Sequence, residues 1–447
     1  MGDNLVGHGL IDYLFVFFMI AYAYYSGQTK PHRILYILPA CLSFFFFIPV
    51  GSNLTADKLV PAIFITSVIL SKGSNYFSIA NKKANNWVGK MWLLIALSAI
   101  IGSVYSSYYE NHVISPFFKT RLIIQLIGYI NYILIFIIIR KEVSKLNGKK
   151  TALTAFLITT SILSIYGVYQ YFAHQFGWAY RGIVYNANST GFGGYKDSGD
   201  LIFRVNSLAN EPKRLTYFLV IGIIILIKYK NPILKKINFV TYLSLVGIHG
   251  IVLWLTYSTS IYLAIIVFIV FLMLYTLFIQ YNKTLSRQLV ILLILGTGTY
   301  LYQRVYFENL YTLRVDKQLE REEVRAEVKG QEFIISNPEM FIVGIGPGIY
   351  NFALAKEFPK VGGLTENGTF LIPFNSGLMT YLFDFGIIGF YLLLYPLVLI
   401  IFNNKISSKN DFSIFVVFLY CTAITLNPSV TLFYFIGAFE GIKNLEE

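Results

Sequence analysis

Residues 122–139 read LIIQLIGYINYILIFIII, and Arg140 and Lys141 follow at once. The run carries no charge and comes close to the ~20 residues that cross a hydrocarbon layer as an α-helix. Its apolar residues do not alternate with polar ones, which argues against a barrel strand. Working outward, the same texture recurs at Leu10–Tyr25, Ile34–Val50, Trp92–Tyr108, Ala152–Phe172, Leu215–Ile227, Ile237–Tyr257, Ile261–Gln280, Leu289–Tyr302, Ile387–Phe402 and Phe412–Leu426. Leu59–Leu70 and Val430–Ile442 are shorter runs of the same kind. Backbone groups in hydrocarbon must pair within their own segment, so repeated runs of this length predict an all-α, polytopic integral membrane protein with about 12–13 transmembrane helices.

Composition agrees. The 447 residues are 56% hydrophobic and only 13% charged, more apolar than soluble domains. The net charge of +13 does not mark a nucleic-acid binder, because it is distributed over short loops between apolar runs. Lys30 and Arg33, Lys72 to Lys90, Arg140 to Lys150, Lys228 to Lys236, Lys283 and Arg287, and Lys405 and Lys409 fall in alternate loops. That asymmetry places them in the cytoplasm. Two long loops, Ala173–Arg214 and Gln303–Pro373, then lie on the outer face, and short helices are expected within them. Neither is apolar enough to bury a core of its own, so residues 1–447 read as one membrane domain. Counting Leu59–Leu70 as a span also puts the N-terminus outside. The first nine residues lack a basic n-region, so the first run is expected to be an ordinary span. Cys41 and Cys421 both lie in apolar runs and read as small buried hydrophobes.

The polar residues that can do chemistry gather in the two long loops. The first holds Tyr180-Arg181 and ends in Arg204-Val205-Asn206-Ser207-Leu208-Ala209-Asn210-Glu211-Pro212-Lys213-Arg214. Arg204 and Arg214 suit a phosphate through planar, charge-assisted hydrogen bonds. Glu211 suits a general base or an orienting partner. Lys213 at the mouth of a helix is adequately explained by snorkelling. The second loop carries Arg314, Arg321 and Arg325 within ~40° of one another on a helix of 100° per residue, with Asp316, Glu320, Glu323 and Glu327 opposite. Charge segregation of this kind can serve an anion or be simply a solvated face. Asn337-Pro338 ends that helical region. Gly344-Ile345-Gly346-Pro347-Gly348 allows close backbone approach to a ligand or to a helix. It lacks the Gly-Lys-Ser/Thr end of a phosphate loop. Asn375-Ser376 leads into a span past Asp384, a carboxylate in or near the membrane and therefore a functional candidate. In Thr256-Tyr257-Ser258-Thr259-Ser260 the expected use of the hydroxyls is capping the next helix. The five histidines have no metal-ligand spacing, so neither metal nor another cofactor is expected.

With these residues in view, the chain resembles the Wzy-type O-antigen and exopolysaccharide polymerases, which share a superfamily with the O-antigen ligases. The likeness covers the architecture of most of the chain: many spans, a medium outer loop in the middle and a large one before the last spans. Arg204 through Glu211-Pro212 resembles the family's Arg-then-Glu-Pro segment. Leu255-Thr256-Tyr257-Ser258 resembles its Thr-x-Ser turn, and Asn337-Pro338 through Gly346 its Pro-then-Gly-x-Gly segment. Asn375-Ser376 to Gly389 resembles its outer-loop exit. Asn375 stands where many ligases have His, and Thr259-Ser260 where many members have Arg, which favours polymerase over ligase. The resemblance implies a metal-independent glycosyltransferase in the bacterial plasma membrane. Its donor and acceptor are undecaprenyl-pyrophosphate-linked glycans, and a chain-length regulator is a candidate partner beside the membrane lipids. Glu211, Arg204, Arg325 and Asp384 are then the candidate catalytic residues. Arg214, Arg321, Arg314, Arg181, Gly346, Asn375 and Ser376 are candidates for binding substrate. A transporter or flippase is the alternative of another class. Internal repeats and charges in mid-membrane helices, which that class requires, are sparse here.

Overall fold

The computed structural model describes residues 5–6, 10–50, 52–78, 82–110, 118–181, 195–197, 200–229, 238–256, 258–279, 326–358, 374, 376–403 and 412–446. The expected span Leu289–Tyr302, and the candidates Arg314, Arg321, Arg325 and Asn375, lie outside the described residues.

The protein is an all-α, polytopic membrane protein. Its bundle helices are α1 (Leu10–Gln28), α2 (Ile34–Ser43), α3 (Ala56–Lys72), α4 (Lys82–Glu110), α5 (Phe118–Val143), α6 (Gly148–Phe176), α7 (Pro212–Lys228), α8 (Phe239–Leu255) and α9 (Thr259–Phe278). Three short helices follow, α10 (Ala326–Ser336), α11 (Pro338–Val343) and α12 (Tyr350–Glu357). The chain closes with α13 (Gly377–Asn403), α14 (Ser413–Thr422) and α15 (Ser429–Glu446). Among the described residues, six stretches are by themselves long and apolar enough to cross a membrane: Leu10–Gln28, Asn85–Tyr109, Leu122–Val143, Gly148–Phe176, Ser260–Phe278 and Gly377–Phe402. The other expected spans that fall within the described residues correspond to shorter helices, so length alone establishes fewer crossings there than the hydropathy pattern implies.

Two expected segments change shape. The apolar run Ile34–Val50 is helical only to Ser43; Phe44 is extended, and β2 (Phe47–Val50) pairs antiparallel with β3 (Ser52–Thr55). Bulky aromatics and a β-branched residue at Phe44 to Ile48 favour extended backbone, and Pro49 forbids further helix. The last long span starts ten residues earlier than its apolar run, at Gly377 rather than Ile387, and kinks at Gly386, whose φ is 64°. Asp384 is therefore inside a helix rather than ahead of one. In the first long loop the described elements are short strands, not helices: β4 (Tyr180–Arg181) beside β1 (Leu5–Val6), and β5 (Tyr195–Asp197) paired with β6 (Asp200–Ile202). The short helices expected in the second loop are α10 to α12, and Asn337-Pro338 does end α10.

Side-chain contacts fix how the helices run. Ser67 donates to the Tyr24 carbonyl at 2.6 Å and Ser71 to the Gly27 carbonyl at 3.1 Å, so α1 and α3 are parallel. Between them α2 and the β2–β3 hairpin bring the chain back to where α1 began: the ring of Phe15 stacks on Phe46 at 4.2 Å. On this course α3 runs alongside α1 in the same direction. Further along, α15 lies directly on α5. A Cβ at Gly437 would sit 2.7 Å from the Phe136 carbonyl, and one at Gly441 2.6 Å from that of Arg140. Two glycines four residues apart let the backbones of two membrane helices approach this closely.

Prolines inside helices leave carbonyls without their usual N–H partner. Pro396 in α13 deprives Leu392, whose carbonyl instead accepts from Trp87 Nε1 at 3.0 Å. Pro61 in α3 deprives Asp57, and Asn131 Nδ2 on α5 donates there at 2.5 Å. His249 on α8 is likewise internal glue, with Nδ1 at 2.8 Å from the Leu245 carbonyl and Nε2 at 3.2 Å from Thr160 Oγ1 on α6.

The two ends of the bundle differ. One gathers Arg140, Lys141, Lys145 and Lys149, where Tyr76 and Lys145 both engage the buried Glu142, at 2.7 and 2.6 Å. The other gathers the ends of the two long loops. Cys41 and Cys421 are buried, as their apolar surroundings imply.

Candidate functional site

The end of the first long loop is a buried, non-helical segment that turns at Asn206–Ala209. Val205, Asn206, Ser207 and Ala209 are almost wholly inside the protein. Gln170 of α6 holds them. Its Oε1 accepts from the Asn206 and Ser207 amides at 3.1 and 2.7 Å, and its Nε2 donates to Asn206 Oδ1 at 2.7 Å. Ser207 takes a left-handed φ of 53°, and its hydroxyl donates to the Leu163 carbonyl at 2.7 Å. A side-chain amide in an apolar helix supplies the hydrogen bonds that this non-helical backbone needs away from water. Gln170 is the residue sequence reasoning missed here; a glutamine inside an apolar run was its signal.

The segment sets its two ends. Arg204 donates through Nε to the Thr256 carbonyl at 2.8 Å. Glu211 occupies the N-cap position of α7 with extended backbone, but its carboxylate makes no cap bond. It pairs instead with Lys213 at 3.0 Å, both side chains remaining about one-third exposed (30% and 36%). Arg214 is exposed in the first turn of the same helix, one turn before the buried Tyr217. The expected capping by the 256–260 turn is not seen: Ser258 stands at the N-cap of α9 without a side-chain cap bond, and Thr256 Oγ1 donates back to the Leu253 carbonyl. The N-terminal turn of α9 instead receives a hydrogen bond, from Thr425 Oγ1 to the Ser260 carbonyl at 3.2 Å.

The second loop returns to the same place. The Gly377 amide donates to the Leu426 carbonyl at 2.9 Å, and Ser376 Oγ to that of Ala423 at 3.2 Å. Ser376 is thus buried and tied to the α14–α15 link. Eight residues on, Asp384 is buried; Tyr129 Oη donates to its Oδ2 at 2.5 Å and the Gly348 amide to its Oδ1 at 3.0 Å. The Ile345 amide donates to the Phe383 carbonyl at 2.8 Å. The glycine run therefore packs on α13 and α4. Gly346 has φ +93°, and a Cβ there would lie 2.2 Å from Gly102 Cα. Of the two uses open to these glycines, the structure displays close approach to helices.

The two loop ends also meet electrostatically. Tyr132 lies in the fields of Asp57, Arg214 and Asp384, and Tyr217 in those of Arg214 and Asp57. Two candidates, Arg214 at the head of α7 and Asp384 in α13, thus both act electrostatically on one tyrosine. Asp57 joins them from the start of α3, and only its position beside a proline-interrupted apolar run marked it in the sequence.

Arg181 stands apart. Its guanidinium pairs with Asp12 of α1, donates to the Phe45 carbonyl at 3.1 Å and covers the Phe46 ring at 4.1 Å. Burial lowers its pKa and the Asp12 charge opposes that shift. These contacts bind the first loop to the N-terminal helix. No family model, curated protein or solved structure matches the chain.

Proposed function

We propose that the protein is a membrane glycosyltransferase of the polysaccharide-polymerase type, joining undecaprenyl-pyrophosphate-linked oligosaccharide repeat units at the outer face of the bacterial plasma membrane. One observation carries the reading: the ends of both long loops come together at the bundle end opposite the Arg140–Lys149 cluster. Hydrogen bonds run from Arg204 to Thr256, from the 258–260 turn through Thr425 to the α14–α15 link, and from that link to Gly377 at the start of α13. The positive-inside rule assigns the basic end to the cytoplasm and so the loop end to the outer face.

The chemistry asks three things of such a site. An acceptor sugar hydroxyl attacks the anomeric carbon of the donor; the new C–O bond forms as the bond to the pyrophosphate oxygen breaks. The hydroxyl proton passes to a carboxylate, and the pyrophosphate leaves with its added negative charge matched by cations. Glu211 is the favoured proton acceptor, because it is partly exposed beside the cations of the loop end. Asp384 is less suited. It is buried and accepts two hydrogen bonds that position the glycine run, so its first role is structural. Arg204 and Arg214 supply cationic charge where charge develops, with Arg314, Arg321 and Arg325 as further candidates.

The test is purified protein in nanodiscs with lipid-linked repeat unit, read as a ladder of longer products. Glu211→Gln is expected to slow elongation by ~10²–10⁴, and Arg204→Ala by ~10²–10³, with the fold retained. A ladder of normal rate and length from both variants sinks the assignment.

A further inference from the structure

Beneath Arg214 the bundle encloses polar atoms that hydrocarbon does not tolerate alone. Asn131 on α5, Tyr381 on α13 and Thr431 on α15 are each about 97% or more buried. Yet Asn131 Oδ1, Tyr381 Oη and Thr431 Oγ1 have no hydrogen-bond partner among the described residues. Tyr217 approaches Thr431 and Tyr381 approaches Ser429, but neither approach completes a bond at Thr431 Oγ1 or Tyr381 Oη. A buried polar group in the membrane interior is normally satisfied, by protein or by water.

The three atoms belong to one connected shell. Asn131 reaches the Asp57 backbone, and the next residue along α5, Tyr132, feels the charges of Asp57, Arg214 and Asp384. The Tyr132 ring meets Tyr129 at 5.5 Å, and Tyr129 meets Tyr381 at 5.5 Å while holding Asp384. The charges acting on the shell come from Asp57, Arg214 and Asp384, on α3, α7 and α13, and only Asp384 touches it directly, through Tyr129.

We propose that this shell is a water-binding compartment, in which ordered waters satisfy Asn131, Tyr381 and Thr431 and connect Asp384 to the aqueous phase at the Arg214 end. Buried waters ordinarily make two to four such bonds, and the shell offers hydroxyls, an amide oxygen and a carboxylate to make them. Through it Asp384 exchanges protons with solvent despite its burial: each water or tyrosine hydroxyl accepts one proton and donates another, so charge moves without a lipid-exposed ion. The compartment stands on these contacts and is independent of the reaction proposed above.

Silver ion tests it, because Ag⁺ replaces the proton of a thiol wherever a few waters can carry it. Thr431→Cys is made in the full chain with Cys41 and Cys421 replaced by alanine, and placed in nanodiscs. Ag⁺ is added and the unbound ion removed, the protein is then denatured, and free thiol is read with a fluorescent maleimide. The expected result is loss of labelling at Thr431→Cys while the lipid-facing control Ile388→Cys labels in full. Ser429→Cys, beside Tyr381, serves the same test if Thr431→Cys does not fold. Full labelling of a folded cysteine variant in the shell after Ag⁺ treatment overturns the proposal.

Discussion

Replacing Trp87 with phenylalanine is expected to destabilise the bundle mainly through a backbone group 305 residues away. Pro396 has no N–H, so the Leu392 carbonyl of α13 has lost its helical partner, and Trp87 Nε1 supplies the replacement at 3.0 Å. Trp87 is 6% exposed and packs on Phe136 at 5.0 Å, so water does not readily take the indole's place. Phenylalanine keeps an aromatic ring there but leaves the carbonyl unsatisfied. Stranding a buried acceptor costs ~1–3 kcal/mol, whereas interhelical hydrogen bonds in membranes average ~0.6 and reach ~1.7 kcal/mol. Because helix N–H groups cannot reach Leu392, we expect the upper part of that membrane range. Lost ring area adds to the measured effect, and a double-mutant cycle removes it. Pro396→Ala restores an N–H in the register of the Leu392 carbonyl. In that background Trp87→Phe should cost ~1–1.5 kcal/mol less than in the native background. The assay is reversible unfolding in mixed micelles with increasing anionic detergent. A coupling within ~0.3 kcal/mol of zero refutes the argument that proline and tryptophan compensate each other.

Three further outcomes follow from the same physics. Asn131→Leu removes the donor to the Asp57 carbonyl freed by Pro61 and should cost ~1 kcal/mol in the same assay; Pro61→Ala should reduce that cost. Gly346→Ala combines a φ of +93° with a Cβ 2.2 Å from Gly102 Cα, so at least ~2–3 kcal/mol is expected, seen as reduced yield of monodisperse protein. A monodisperse Gly346→Ala at native yield and stability counts against the close packing of the glycine run on α4. Asp12→Asn leaves the Arg181 guanidinium buried without its carboxylate and should destabilise by ~3–5 kcal/mol, whereas the joint replacement Asp12→Asn with Arg181→Met should recover part of the loss.

Much of the architecture was legible because hydrocarbon imposes it residue by residue. The run at 122–139 lies within the long helix α5, and basic residues at its end marked one end of the bundle. The misjudged segments share a cause. Apolarity reports burial, not backbone shape, so the aromatic run after Ser43 counted as span although it pairs as a hairpin. Asp384 lay outside the expected span because its polarity interrupted the hydropathy, while Tyr129 and the Gly348 amide make that polarity acceptable inside a helix. For the candidate site, Arg204, Glu211, Arg214 and Asp384 were nameable from type and neighbourhood. Their convergence was not, nor were Gln170 and Asp57, whose partners come from other helices.

What the sequence determined by itself is the class of protein and its helical register, because in a bilayer each segment must satisfy its own backbone before it meets any neighbour. Where that requirement fails locally, at Pro61, at Pro396 and along 205–207, only the tertiary structure decides which side chain answers. Asn131, Trp87 and Gln170 do so across helix interfaces. Such donors are fixed by packing in three dimensions, and no spacing along the chain encodes them.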